Sequence, residues 1–192
     1  IQPGDAKCVD INGDGVVDDN DRTIIGRGQP IHTGGFTNNF KYKNFDLNIF
    51  FTWSYGNDIL NANRLLFDNG LWKRETNMFA SYADRWTPEN PNSDIPRAAS
   101  QPNVFSSRVI EDGSYLRLKS VTLGYNFPQR VLKKLTLSSA RIFVSGENLW
   151  TWTSYTGYDP EVSVRNSALT PGFDYSAYPR AYNFSVGLNV SF

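Results

Sequence analysis

The final eleven residues, YNFSVGLNVSF, alternate without a break. Tyr182, Phe184, Val186, Leu188, Val190 and Phe192 fall on one phase, and Asn183, Ser185, Gly187, Asn189 and Ser191 on the other. A period of two sends the apolar set to one face of a strand and the small or polar set to the opposite face. About ten steps of ~3.4 Å, tilted by ~40°, rise ~26 Å, close to the hydrocarbon thickness that a membrane strand must cross. Strands of soluble sheets are usually shorter, ~5–6 residues, so an amphipathic edge strand of a soluble sheet is the weaker reading.

The same pattern predicts four more strands. FTNNFKYKNFDLNIFFTWSY reads as a hairpin over 34–42 and 45–55, turning near Lys43-Asn44, with Phe45, Leu47, Ile49, Phe51, Trp53 and Tyr55 on one phase of its second arm. SYLRLKSVTLGYN and ARIFVSGENLWTW predict strands over 114–126 and 140–152, joined by PQRVLKKLTLSS. In the first of these Leu116 and Leu118 sit on one phase and Val121, Leu123 and Tyr125 on the other, which a β-bulge near Lys119-Ser120 reconciles. With 182–192 the expectation is five antiparallel strands, all-β, alternating with short connections and long loops at 56–113 and 153–181. Short turns on one side and long loops on the other match a transmembrane β-barrel. Five strands cannot close one, since the smallest has about eight, so the chain reads as part of something larger. A C-terminus in the periplasm then places 1–33, 56–113 and 153–181 on the extracellular side. Trp53, Trp150 and Trp152 fall toward that end of their strands, where interfacial aromatics belong.

Within the long loop, Ile59, Leu66 and Phe67, then Trp72, Met78, Phe79 and Tyr82, offer partial helical spacing for two short helices. PENPNSDIPRAASQPN carries four prolines and reads as extended or turn-like.

Composition removes several function classes. Lys plus Arg equals Asp plus Glu at 19 each, so no charge excess points to nucleic acid. A single cysteine, Cys8, forms no internal disulfide or metal cluster, and a single histidine, His32, excludes a His-based zinc site and a Ser-His-Asp triad. His32 itself reads as a plain loop residue. No apolar run reaches the ~20 residues of a spanning helix, which leaves a barrel untouched. Glu89, Asp94, Glu111, Asp112, Asp159 and Glu161 could supply a glycosidase carboxylate pair in principle, but read better as solvated surface groups. No catalytic residue is assigned and the expectation is a non-enzyme.

One stretch carries a motif. In DINGDGVVDDND, with Asp10 as position 1, Asn12 falls at 3, Asp14 at 5, Gly15 at 6, Val16 at 7, Asp18 at 9 and Asp21 at 12. A calcium loop needs oxygens at 1, 3 and 5, a backbone carbonyl at 7, a carboxylate at 12 and glycine at 6 for the sharp turn. Asp instead of Glu at 12 follows dockerin-type loops and shortens the bidentate reach. Val17 supplies the apolar anchor expected at position 8. Asp10, Asn12, Asp14, Val16, Asp18 and Asp21 are therefore the candidate ligands of a structural Ca2+. RTIIG gives barely one helical turn afterwards, and without a second loop a sensor has no helix pair to open.

GDAKCVDINGDGVVDDNDRTIIG, FTNNFKYKNFDLNIFFTWSYGNDI, DRWTPENPNSDIPRA, GSYLRLKSVTLGYNFP, SGENLWTWTSYTGYDPEV and PGFDYSAYPRAYNFSVGLNVSF together resemble the C-terminal end of the SusC/RagA family of TonB-dependent outer-membrane transporters. The resemblance covers the whole chain. It implies the last five strands of a plugged barrel of about 22 strands, with the terminal Phe192 as an assembly signal. It also implies import of glycans, oligosaccharides or peptides with a SusD-like surface lipoprotein, energised by TonB through the upstream part of the protein. The expected location is the Gram-negative outer membrane, in contact with its lipid. The alternatives are a soluble or secreted β-rich carbohydrate-binding module with a dockerin-like calcium loop, and a fragment of a secreted glycan-active enzyme.

Overall fold

The computed structural model describes residues 1–68, 77–98, 104–163 and 169–192. The expected Trp72 position and part of the proline-rich stretch lie outside the described residues. The strands are β1 (His32–Tyr42), β2 (Phe45–Tyr55), β3 (Asp58–Asn61), β4 (Ile110–Asp112), β5 (Tyr115–Asn126), β6 (Ser139–Thr153), β7 (Phe173–Asp174) and β8 (Asn183–Ser191). Two short helices, α1 (Ala62–Phe67) and α2 (Gln129–Lys134), accompany them. The chain divides into a loop unit (1–29, 57–112 and 155–177) and a strand unit (30–56, 113–154 and 178–192).

The strand unit is one antiparallel sheet in the order β1-β2-β5-β6-β8. Its five strands start and stop within two residues of the alternating segments. β1 and β2 pair in unbroken register from His32↔Tyr55 to Tyr42↔Phe45, around a tight turn in which Lys43 takes a left-handed φ of 52°. The irregularity expected near Lys119 is present. Ser120 pairs with Phe50 and Leu118 with Phe51, leaving Lys119 unpaired, and the same step separates Glu147 from Trp150 on β6. This bulge moves the face of β5 by one residue, so Leu116 and Leu118 join the side occupied by Val121, Leu123 and Tyr125. His32 is not a loop residue: it opens β1, and its Nδ1 accepts the Trp53 Nε1–H at 3.0 Å.

The two faces of this sheet are chemically opposite. Rows such as Phe45–Tyr125–Ile142–Leu188 and Leu47–Leu123–Val144–Val186 run across four strands on one face. These side chains are largely exposed: Leu123 48%, Val144 50%, Val186 73% and Phe184 74%. The other face carries a hydrogen-bonded polar lattice. Arg141 Nη2 reaches Asp46 at 2.6 Å, Asn48 donates to Asn39 at 2.6 Å, and Thr122 Oγ1 and Ser145 Oγ lie 3.0 Å apart. A water-soluble protein buries the first kind of face and wets the second. A polar side for the lumen and an apolar side for lipid is the arrangement of a membrane barrel wall.

The loop unit is built the ordinary way. β3 pairs antiparallel with β4 and parallel with β7, over a core in which Ile59 and Val109 are 0% exposed. Ile59 lies in β3 rather than in a helix. The first expected helix is the six residues of α1. The second is reduced among the described residues to a 3-10 turn at Ala80–Asp84, with the Phe79 ring packed 5.4 Å from Phe67.

Candidate metal centre and its surroundings

The acidic segment forms a closed loop held by its own carboxylates. Asp10 Oδ1 accepts the Gly13 N–H at 2.6 Å and its Oδ2 the Gly15 N–H at 2.8 Å. Asp14 Oδ1 accepts the Val16 N–H and Asn12 Oδ1 the Asp14 N–H, both at 2.8 Å. Gly15 takes a φ of +84°, the left-handed turn that position 6 demands and that glycine adopts without a Cβ penalty. At the far end Asp18 caps the 3-10 turn Asp19–Asp21 in a reciprocal box with Asp21. Asp21 then reaches back across the loop, accepting the N–H groups of Ile11 at 2.7 Å and Asn12 at 3.3 Å. The N–H of Asp18, followed by those of Ile11 and Asn12, holds the Asp21 carboxyl below the usual carboxylate range.

The structure therefore folds position 12 of the motif back onto the peptide N–H groups of positions 2 and 3. The donor chemistry suits a hard cation: every candidate atom is a carboxylate, amide or peptide oxygen. Among the described residues no three His, Cys, Asp or Glu side chains converge as a metal cluster, and these carboxylates are engaged by peptide N–H groups instead. Val17 is 49% exposed, so the anchor expected at position 8 packs against no core here. Beyond Asp21 the chain is extended at Arg22 rather than helical.

A second set of polar residues, of which the sequence reading singled out Glu111 alone, and as a solvated group, is held together by hydrogen bonds. Tyr155 is 5% exposed and Asp174 2%, and the phenol donates to Asp174 Oδ2 at 2.5 Å. Burial, then this bond to a carboxylate, pushes the Tyr155 phenol far above its ordinary range. Asp68, 1% exposed, accepts from Arg64 Nε at 3.2 Å and Ser81 Oγ at 2.9 Å. Glu111 gathers Asn61 Nδ2 at 3.0 Å and the Thr156 N–H at 2.8 Å. Asp58 Oδ2 accepts the Arg27 N–H while the Asp58 N–H donates to the Arg27 carbonyl, both at 2.7 Å. Near the N-terminus Asp5 pairs with Arg97 Nε at 2.6 Å.

Glu111 and Asp159 are thus not solvated surface groups. Asp159 is 5% exposed and accepts the Glu161 N–H, and both Glu111 oxygens are occupied. Glu89, Asp94, Asp112 and Glu161 are exposed as expected. Pinning of loop by loop explains why residues 1–29 fold with 57–112 and 155–177 rather than standing alone.

No family model matches the chain. Individual proteins do. The chain is 42% identical over 195 residues to TonB-dependent receptor P3 of Formosa agariphila, aligning 99% of its own length with 19% of that receptor. It is 38% identical over 200 residues to TonB-dependent receptor P26 of the same bacterium, covering 20% of it. Identity to TonB-dependent receptor SusC of Bacteroides thetaiotaomicron is 27% over 197 residues, or 18% of that protein. Among solved structures, the RagAB peptide transporter superposes with a TM-score of 0.74 at 28% identity, over 86% of this chain and 17% of that one. The RagAB peptide importer in its closed-closed state gives 0.76 at 26% identity, over 93% and 20%. The chain spans about a fifth of the length of the relatives it matches.

A five-stranded sheet with an exposed apolar face and a hydrogen-bonded polar face is a segment of a transmembrane β-barrel. The chain belongs to the TonB-dependent receptors of the SusC/RagA type, as one part of such a barrel.

Proposed function

We propose that the chain is the C-terminal barrel segment of an outer-membrane transporter that imports glycans, oligosaccharides or peptides with a SusD-like surface lipoprotein. TonB would energise it through parts of the protein outside these 192 residues. The apolar face carries the reading: Phe184, Val186 and Leu188 are 74%, 73% and 63% exposed, which is stable against lipid and not against water. The strands in this reading line the passage and meet the bilayer, while the loop unit shapes the extracellular mouth. The chain does no chemistry of its own. The likeness to SusC and to a peptide transporter supports the transport class and leaves glycan and peptide as two substrates to be separated by uptake assays.

Orientation is tested in the full-length receptor with epitopes inserted at Tyr158 and at Lys133. On intact cells antibody should reach the Tyr158 insertion, and reach the Lys133 insertion only after permeabilisation. The reverse pattern overturns the orientation.

Within this reading DINGDGVVDDND binds a structural calcium ion, with Asp10, Asn12, Asp14, Asp18 and Asp21 supplying side-chain oxygens and Val16 its carbonyl. The affinity expected of an extracellular module is about 10⁻⁴–10⁻³ M. Asp14→Ala should abolish calcium-dependent protection of residues 5–30 in hydrogen exchange and leave the five strands unchanged. Strand unfolding in that variant, or on chelation, would refute a local staple.

A further inference from the structure

The loop-side end of the apolar face is not smooth. Trp53, Leu116 and Trp152 are lateral neighbours in register on β2, β5 and β6. Trp53 stands opposite Gly34 on β1, and its indole lies over that glycine so closely that a Cβ there would overlap the ring. His32 pins it in place by accepting the indole N–H at 3.0 Å, and the His32 ring stacks on Tyr55 at 5.1 Å. Tilting the indole toward β1 draws it away from Leu116. Trp152 stands on the other side, with its ring 6.5 Å from that of Phe51. Between the two indoles remains a groove of about 510 Å³, lined by His32, Trp53, Tyr55, Leu116 and Trp152 of the apolar face and by Ser54, Ser114 and Tyr115.

We infer that this groove is a binding site for one acyl chain of a bilayer lipid, held at the aromatic rim of the barrel wall. The inference rests on the membrane orientation proposed above. Three observations favour a lipid chain over other occupants. The groove is continuous with the lipid-facing rows, because the odd positions of β2 from Phe45 to Tyr55 share one face. Its floor, Leu116, is 37% exposed and has no polar atom in its side chain to recognise a sugar or peptide. The Trp53 N–H is already satisfied by His32, so the indole offers the groove its ring and not its donor. A volume in the range of small-molecule sites, lined mainly by rings and a leucine with Ser54 and Ser114 beside them, suits a flexible hydrocarbon chain.

The test uses the full-length receptor reconstituted in phosphatidylethanolamine–phosphatidylglycerol nanodiscs, transferred to mild detergent and weighed by native mass spectrometry. The wild type should retain one phospholipid through the exchange. Leu116→Trp, which fills the groove, should reduce that retention by about tenfold, the effect of withdrawing two methylenes from an apolar site. Leu116→Ala, which enlarges the groove, should keep it. Heat-modifiable migration on gels confirms that each variant is folded, and Leu116→Phe serves as the occluding variant if Leu116→Trp is not. Equal retention in wild type and a folded occluded variant overturns the proposal, as does retention of detergent with no phospholipid. Tryptophan quenching by acyl-brominated lipid separates the two levels. Quenching without a retained lipid sinks the groove alone, while absence of quenching in the reconstituted wild type sinks the membrane orientation as well.

Discussion

Ile59 and Val186 are both β-branched residues paired antiparallel with a neighbouring strand, and their surroundings are opposite. Ile59 is 0% exposed in the loop unit, and Val186 is 73% exposed in the strand unit. The contrast extends to their neighbours. Ile59, Ala62, Ile95, Val109 and Tyr155 are buried in the loop unit, whereas among the described residues Leu132 is the one buried hydrophobic of the strand unit. Buried polar groups are also more numerous in the loop unit, the strand unit having Ser54 and Arg117. Asn61, Asn63, Asp68, Asp159 and Asp174 are buried in the loop unit, where hydrogen bonds offset their desolvation. The loop unit is organised as a soluble domain is, by removing apolar surface from water and satisfying what polar groups it buries. The strand unit is organised by its backbone ladders and has no apolar interior of its own, so its apolar side chains must be solvated by something other than water.

The comparison can be broken in the full-length receptor. Ile59→Ala should cost about 2–5 kcal/mol, the range for a buried large-to-small change. Hydrogen exchange should show the loss confined to 57–112 and 155–177, and equal loss of protection in the five strands would erase the distinction between units. Val186→Lys should cost about 2–4 kcal/mol when unfolding is measured in lipid vesicles, since it places an ammonium among hydrocarbon chains. A neutral result would mean that this face does not meet the bilayer. Tyr155→Phe sharpens the picture of the loop unit: it removes a donor from the buried Asp174 carboxylate and should cost about 1–3 kcal/mol, read as faster exchange across 155–177.

A smaller effect is set by pH. The peptide N–H groups of Asp18, Ile11 and Asn12 lower the Asp21 carboxyl in the folded loop. Its contribution is therefore fully present above the unfolded value, about pH 4, and is lost as pH falls through the lower folded value. Protection of residues 10–21 should drop over that window while the strands keep theirs, and Asp21→Asn should flatten the profile. The smallest effect is expected at Arg22→Ala. Its partner Asp19 is 2.8 Å away, but both side chains are about four-fifths exposed, and thermal unfolding should change by about 0–1 kcal/mol.

The strands were legible in the sequence because alternation is a local property. Each residue from Tyr182 to Phe192 states its face by parity alone, and the Leu118–Val121 phase slip was enough to locate the bulge at Lys119. The acidic loop and its glycine turn were legible for the same reason, since their spacings lie within twelve residues. The polar scaffold of the loop unit was not. Tyr155 and Asp174 are 19 residues apart, Glu111 and Thr156 are 45 apart, and Asn63 and Ser176 are 113 apart. No periodicity relates such pairs, which is why Glu111 and Asp159 read as solvated groups. Nor could composition show that His32 begins a strand and fixes the Trp53 indole.

By itself the sequence determined which residues share a face of each strand, where the strands turn, and that an acidic loop with a glycine turn precedes them. These follow from backbone geometry that repeats every two residues or closes within a dozen. Only the tertiary structure decided which strands pair across the long loops, that residues 1–29 fold together with two later loops, and that Gly34 lets an indole come close to β1 and open a groove beside Leu116. Each of these depends on side chains brought together from distant positions, where packing volume and hydrogen-bond partners, rather than local pattern, choose the outcome.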